Sequence, residues 1–160
     1  AKTTIEQKPL TEELVRETAA KRIGDEGLVR YATITQEGDG KVIKVGLTRP
    51  TMCHDGALVG TVASFAQKTI SALFRYEEVT RVEVAMFGTT MDFPPNDELA
   101  LEIIVDRATN DRIDWFAFDD TTMPQLATSY FVAPRIQENW VVEGGGETPR
   151  SQQTVSTPAS

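Results

Sequence analysis

The chain has 160 residues, 40% of them hydrophobic, and its 16 basic and 24 acidic side chains give a net charge of −8. That length suits one self-supporting domain, and the charge excludes the Lys/Arg footprint that nucleic acid requires. A lone cysteine, Cys53, excludes an intramolecular disulfide, and no apolar run reaches the roughly 18–20 residues of a membrane span, so a soluble chain without membrane insertion is expected.

Residues 1–9 are polar and predict a flexible N-terminus, followed by a single α+β domain over 10–142. Thr11 is placed to cap a helix whose first turn holds Glu12 and Glu13, with Leu10 and Val15 as an apolar staple and Gly24 as the stop. Glu12/Arg16 and Glu17/Lys21 stand four apart, a spacing that supports about 0.2–0.5 kcal/mol per pair. From Leu28 to Gln36 and from Lys41 to Arg49 the residues turn β-branched and aromatic, and Glu37-Gly38-Asp39-Gly40 between them predicts a tight hairpin. Ile43, Val45 and Leu47 should face the core, and Pro50 should end the second strand.

The strongest helical period runs from Asp55, read as the N-cap, to about Tyr76, with Leu58, Val62, Phe65, Thr69 and Leu73 on one stripe. Its other faces are small and uncharged (Gly60, Ala63, Ser64, Ala66), which invites close approach by another element or a second chain. Two more strands follow, Thr80 to Phe87 and Glu98 to Val105, with Val82, Val84, Met86, Leu101, Ile103 and Val105 as core positions. The connection between them is longer than an economical hairpin needs. Asp106 caps a short helical turn, Thr122-Met123-Pro124-Gln125 opens a second short helix to about Phe131, and Ala133-Pro134 ends it. Arg135 to Val142 is ambiguous, and residues 143–160, opened by Gly144-Gly145-Gly146, read as a disordered Gly/Ser/Thr/Pro-rich tail. The expected architecture is therefore a four-stranded, mainly antiparallel sheet covered on one face by the long central helix, in the order α-β-β-α-β-β-α(-α).

Cys53-His54-Asp55 sets the only thiol and the only imidazole before a helix N-terminus. As a catalytic dyad it would need an unusual turn, because neighbouring side chains diverge. The competing reading makes Asp55 the cap, Cys53 a small buried group and His54 a solvated one. One Cys and one His cannot furnish a zinc site. Asp106, Asp111, Asp114, Asp119 and Asp120 lack the spacing of a calcium loop, and no Walker, Gly-x-Gly-x-x-Gly or Gly-x-Ser-x-Gly motif occurs. No metal, cofactor or catalytic residue is assigned. Glu83 and Glu102 could form a carboxylate pair on the noncore strand faces, but read better as solvated acids.

The better candidates form a surface. Phe87, Met91 and Phe93 surround the Pro94-Pro95 loop, where apolar side chains either fold back over the sheet or meet a partner; Trp115 and Phe116 pose the same alternative. In acidic pI and order of elements the chain resembles the type III secretion chaperones, a class of small dimeric folds; no site residue is carried over from that resemblance. The reading is a noncatalytic binding or protein-interaction module, homodimeric through the small-residue helix face or a sheet edge. Its alternatives are a thiol-dependent hydrolase or transferase using Cys53 and His54, or an accessory component of an extracytoplasmic assembly. The partner is expected to be a protein or a second copy, and the question of a small-molecule ligand is left open. The Ser/Thr/Pro-rich tail suits a protein held outside the cytoplasm or joined to something further along, which leans the reading towards an extracytoplasmic home.

Overall fold

A computed structural model describes residues 8–50, 54–90, 95–119 and 122–142, the last four without side chains. Cys53, Met91, Phe93 and the 143–160 tail lie outside the described residues, as do residues 1–7. Helix α1 is Glu12–Ile23, held between the expected caps: Thr11 Oγ1 accepts from Leu14 N at 3.0 Å, and Gly24 closes the helix at φ 86°. Instead of serving only its own helix, Glu12 accepts the Ile34 backbone N–H at 2.9 Å, and Arg16 donates to the Val29 and Arg30 carbonyls. These contacts stitch α1 to the outer edge of the sheet, where backbone groups would otherwise lack strand partners.

Strands β1 (Val29–Glu37) and β2 (Gly40–Thr48) form the predicted hairpin around Gly38, whose φ of 59° suits glycine. Helix α2 (Asp55–Leu73) then crosses over, and β3 (Val79–Phe87) returns parallel to β2. Strand β4 (Leu99–Asp106) runs antiparallel to β3, and Asp106 caps α3 (Arg107–Asn110) by accepting from Thr109 N at 2.8 Å. After a 3-10 turn at Trp115–Ala117 come α4 (Met123–Leu126), β5 (Ser129–Val132) and α5 (Pro134–Val142).

Two expectations need correction. The sheet has five strands in the order β1-β2-β3-β4-β5, and one of its four pairings, β2 with β3, is parallel. Length hides the fifth strand: the helix expected to reach Phe131 stops at Leu126, and the alternating Ser-Tyr-Phe-Val that follows pairs with β4. Pro134 accordingly opens a helix rather than ending one, as its fixed φ and missing N–H allow at a first turn.

The core lies between one sheet face and α2. Ile43, Val45, Leu47, Val82, Val84, Met86, Leu101, Ile103 and Val105 are fully buried together with Leu58, Val62, Ile70 and Ile136. Tyr130 joins them from β5, and burial pushes its phenol well above the usual range. Helix α2 packs against α1 and α5 as well as the sheet, and the opposite sheet face, which carries the exposed Lys44, has no packed helix among these elements, although Val42 and Gly46 on it are buried.

Candidate functional site: the open sheet face and its loop end

Because β2 and β3 run parallel, their carboxyl ends meet at one edge, the last pairing being Thr48 with Phe87. In open α/β sheets such edges gather loops and ligands. Arg49 N donates to Phe87 O at 2.8 Å, and the Arg49 guanidinium turns inward to the Asp55 carboxylate at 2.5 Å, with both side chains almost wholly buried. Asp55 is thus an internal ion-pair partner in the first turn of α2. The N-cap is His54, whose Nδ1 accepts from Ala57 N at 3.2 Å while the residue remains exposed. That bond occupies one imidazole nitrogen with helix capping.

Across the edge, the neck of the β3–β4 connection is tied shut. Gly88 N donates to Glu98 O at 2.8 Å, and Asn96 Oδ1 accepts from Thr89 N at 2.9 Å. Thr89 Oγ1 donates to Glu98 Oε2 and accepts from Asn96 Nδ2. Gly88 has φ 118°, and a Cβ there would stand 3.0 Å from the Arg49 Cβ, so the neck depends on glycine.

Phe87 lies on the open face of the sheet, half-buried. The Arg30 guanidinium sits 4.9 Å from its ring centroid, and Tyr31 meets it edge-on at 6.2 Å. Arg30 is the extra residue of a bulge in β1; it donates to Thr48 Oγ1 and Asn96 O and pairs with Asp97 at 2.8 Å. The start of β1 and the end of the long connection are therefore clamped together over Phe87.

Behind Phe87 one register row runs across all five strands: Tyr31, Gly46, Ala85, Glu102, Phe131. A Cβ on Gly46 would lie 2.1 Å from Tyr31 Cε2, which shows the ring resting on the glycine. The next row holds Thr33, Lys44, Glu83, Ile104 and Ser129. Glu83 is not a solvated acid: its side chain is 16% exposed and pairs with Arg81 at 2.8 Å, and Arg81 also grips Glu37. Glu102 is half-buried, and its carboxylate has no hydrogen bond or ion pair among the described residues. Burial pushes the Glu102 carboxyl up, the Glu83 charge adds to this, and Lys44 opposes it. Burial likewise raises the Tyr31 phenol, reinforced by Glu102 and then Glu83, with Arg30 opposing.

A pH prediction follows from the Glu102 shift. As pH climbs past the ordinary value of 4.5, the unfolded chain releases this proton while the folded chain still holds it, so stability falls with rising pH. Glu102→Gln should raise the thermal midpoint relative to the parent at about pH 7 and leave it nearly unchanged at about pH 4. An equal gain at both values would show that ionisation of Glu102 is not the cause.

Trp115 and Phe116 lie elsewhere. β4 runs antiparallel to β3, so the segment after Asp106 leaves the sheet at the end opposite Phe87. There Trp115 packs on Phe118 at 5.4 Å, donates Nε1–H to Asn110 Oδ1 at 2.7 Å, and accepts from Gln67 of α2 through its carbonyl. Phe116, its neighbour, is 101% exposed. The structure separates Phe87 from this aromatic pair, and it adds Arg30, Tyr31, Glu102 and Phe131 to Phe87. Strand alternation already placed Glu102 on the same face as Phe87. Arg30 carried no signal because a bulge cannot be seen locally, and Phe131 was hidden by the helix assigned to it.

The acids weighed for calcium serve local structure: Asp106 caps α3, and Asp114 accepts from the Phe116 and Ala117 N–H groups. No group of three or more His, Cys, Asp or Glu is arranged for a metal among the described residues, and no helix there is long and apolar enough to cross a membrane. No protein-family model, curated protein or solved structure matches the chain, and the resemblance to type III secretion chaperones gains nothing from these comparisons.

Proposed function

We propose that this chain is a noncatalytic binding module that holds a partner protein against the open face of its sheet, next to the loop that follows β3. The observation that carries the reading is the five-strand row from Tyr31 to Phe131. It joins two half-buried aromatic rings and a half-buried carboxylate that has no ion pair among the described residues, over a buried floor of glycine and alanine. Aromatic anchors beside a few convergent polar groups are the composition of protein-recognition hot spots. Glu102 favours a basic or amide-bearing side chain of the partner, since an ion pair would relieve the cost that burial imposes on its charge. The capping role of His54 supports a noncatalytic reading over a Cys53–His54 dyad.

Selection of a displayed random-peptide library on the immobilised chain tests this directly. Retained peptides should lose at least about tenfold in affinity on Phe131→Ala or Glu102→Gln, with thermal midpoints held within a few degrees. The sequence-based candidates Met91 and Phe93 should behave the same way as alanine variants. Peptides that bind equally well to all four variants, or amide NMR shifts confined to another surface, would remove the open face from consideration.

A further inference from the structure

The other side of the molecule, where α2 faces away from the sheet, carries a separate pair of features that packing among the described residues does not explain. Gly60 lies inside α2, where glycine weakens a helix relative to alanine, yet a Cβ at that position would meet nothing within 4 Å. The fold does not need the glycine. Above it opens a groove of about 420 Å³ between α1 and α2, lined by Ile23, Ala57, Gly60, Thr61, Ser64 and Phe65 and by the exposed cations Arg22 and Lys68. Beside the same helix stands Phe116, which is the exposed large hydrophobic side chain among the described residues. Its mounting is firm: Asp114 Oδ1 accepts from its N–H at 3.1 Å, and the adjoining Trp115 is bonded to Asn110 and, through its carbonyl, to Gln67 at 3.1 Å. Gln67 immediately precedes Lys68 on the groove rim, so knob and groove flank one outward helix face. Exposed Asp111, Asp114 and Asp119 lie close to Phe116 in sequence, and they are opposite in sign to Arg22 and Lys68 of the groove.

We infer that the chain forms a two-fold dimer across the outward face of α2, in which Phe116 of each copy enters the Gly60 groove of the other. An isologous contact requires a self-complementary patch, and an exposed aromatic knob on an acidic segment beside a groove bearing two cations is one. Ala57, Gly60 and Ser64 keep the facing side chains small, which lets two such helices approach at the short end of helix packing distances. The complementary charges offset the repulsion expected between two chains of net charge −8. This inference uses neither the open sheet face nor its ligand.

Sedimentation velocity over a concentration series tests it. The parent should dimerise reversibly, and Phe116→Ala, which removes the knob, and Gly60→Leu, which fills the groove, should each weaken dimerisation at least about tenfold. Mixing the two variants restores one intact knob-and-groove contact per pair, so the mixture should associate more strongly than either variant alone. Lys68→Glu, an exposed substitution that spares the core, should also weaken the dimer. A parent that stays monomeric overturns the inference. So does a dimer indifferent to all three substitutions, or a mixture no stronger than its components. Peptide binding at the open face should persist in every variant, which keeps the two surfaces distinguishable.

Discussion

Asp55→Ala should be among the most damaging single substitutions in this chain, lowering stability by about 3–5 kcal/mol, because it takes the carboxylate away from a guanidinium buried in the interior. Arg49 and Asp55 are 1% and 6% exposed, so neither can turn to solvent without moving the backbone that carries it. The pair sits at the edge where β2 and β3 end, next to the bond from the Arg49 backbone N–H to the Phe87 carbonyl and the contact of its Cβ with Gly88. Arg49→Met should cost a similar amount by leaving a buried carboxylate opposite an apolar chain. The double variant Arg49→Met/Asp55→Leu, in which both charges disappear, should recover much of either loss, since a buried pair is nearly neutral against apolar residues of similar volume. Urea unfolding of the parent, Arg49→Met, Asp55→Leu and the double variant gives the coupling energy. Additive losses, or a cost of less than about 1 kcal/mol for Asp55→Ala, would mean that the pair does not hold this edge.

That edge also shows what local sequence can and cannot convey. Thr11 and Gly24 bound α1, and the alternation of β2, β3 and β4 sorted their core residues, because capping and two-residue periodicity are properties of a few neighbouring positions. The parallel pairing of β2 with β3 is not such a property. Two hairpins and a long helix satisfy the same periodicities whether the second hairpin docks parallel or antiparallel, and only the shared burial on α2 decides. Asp55 was read as the N-cap of α2, one residue late, and its role as a buried ion was not legible at all, since its partner lies before the connection and nothing local marks Arg49 as inward. The candidate site divides the same way. Phe87 and Glu102 could be placed on one face by alternation, whereas Arg30 needed the bulge and Phe131 needed the fifth strand. In Trp115-Phe116 two adjacent aromatics have opposite fates, one packed and one bare, and that choice is made by Asn110 and Gln67 at a distance.

Arg107→Met is expected to cost about 2–4 kcal/mol, although the residue is only half-buried and forms no ion pair among the described residues. Its guanidinium gathers the chain that leaves α2 and enters β3. Nη1 donates to Phe74 O at 3.0 Å, Nη2 to Tyr76 O and Val79 O at 2.7 Å each, and Nε to Val79 O at 3.1 Å. The same group lies 4.9 Å from the Phe74 ring centroid. Methionine keeps the stem and its packing but leaves carbonyls at the carboxyl end of α2 without their donor, at the negative end of the helix dipole. Lysine restores a charge there yet lacks the planar fork, so Arg107→Lys should recover only part of the loss. The effect should also be local: hydrogen exchange of amides from residues 74 to 80 should accelerate in Arg107→Met more than those of β1, because the turn loses its clamp while the far edge of the sheet keeps its pairing. Uniform acceleration across the sheet would instead make Arg107 a contributor to global stability alone, and full rescue by lysine would show that charge, not fork geometry, holds the turn.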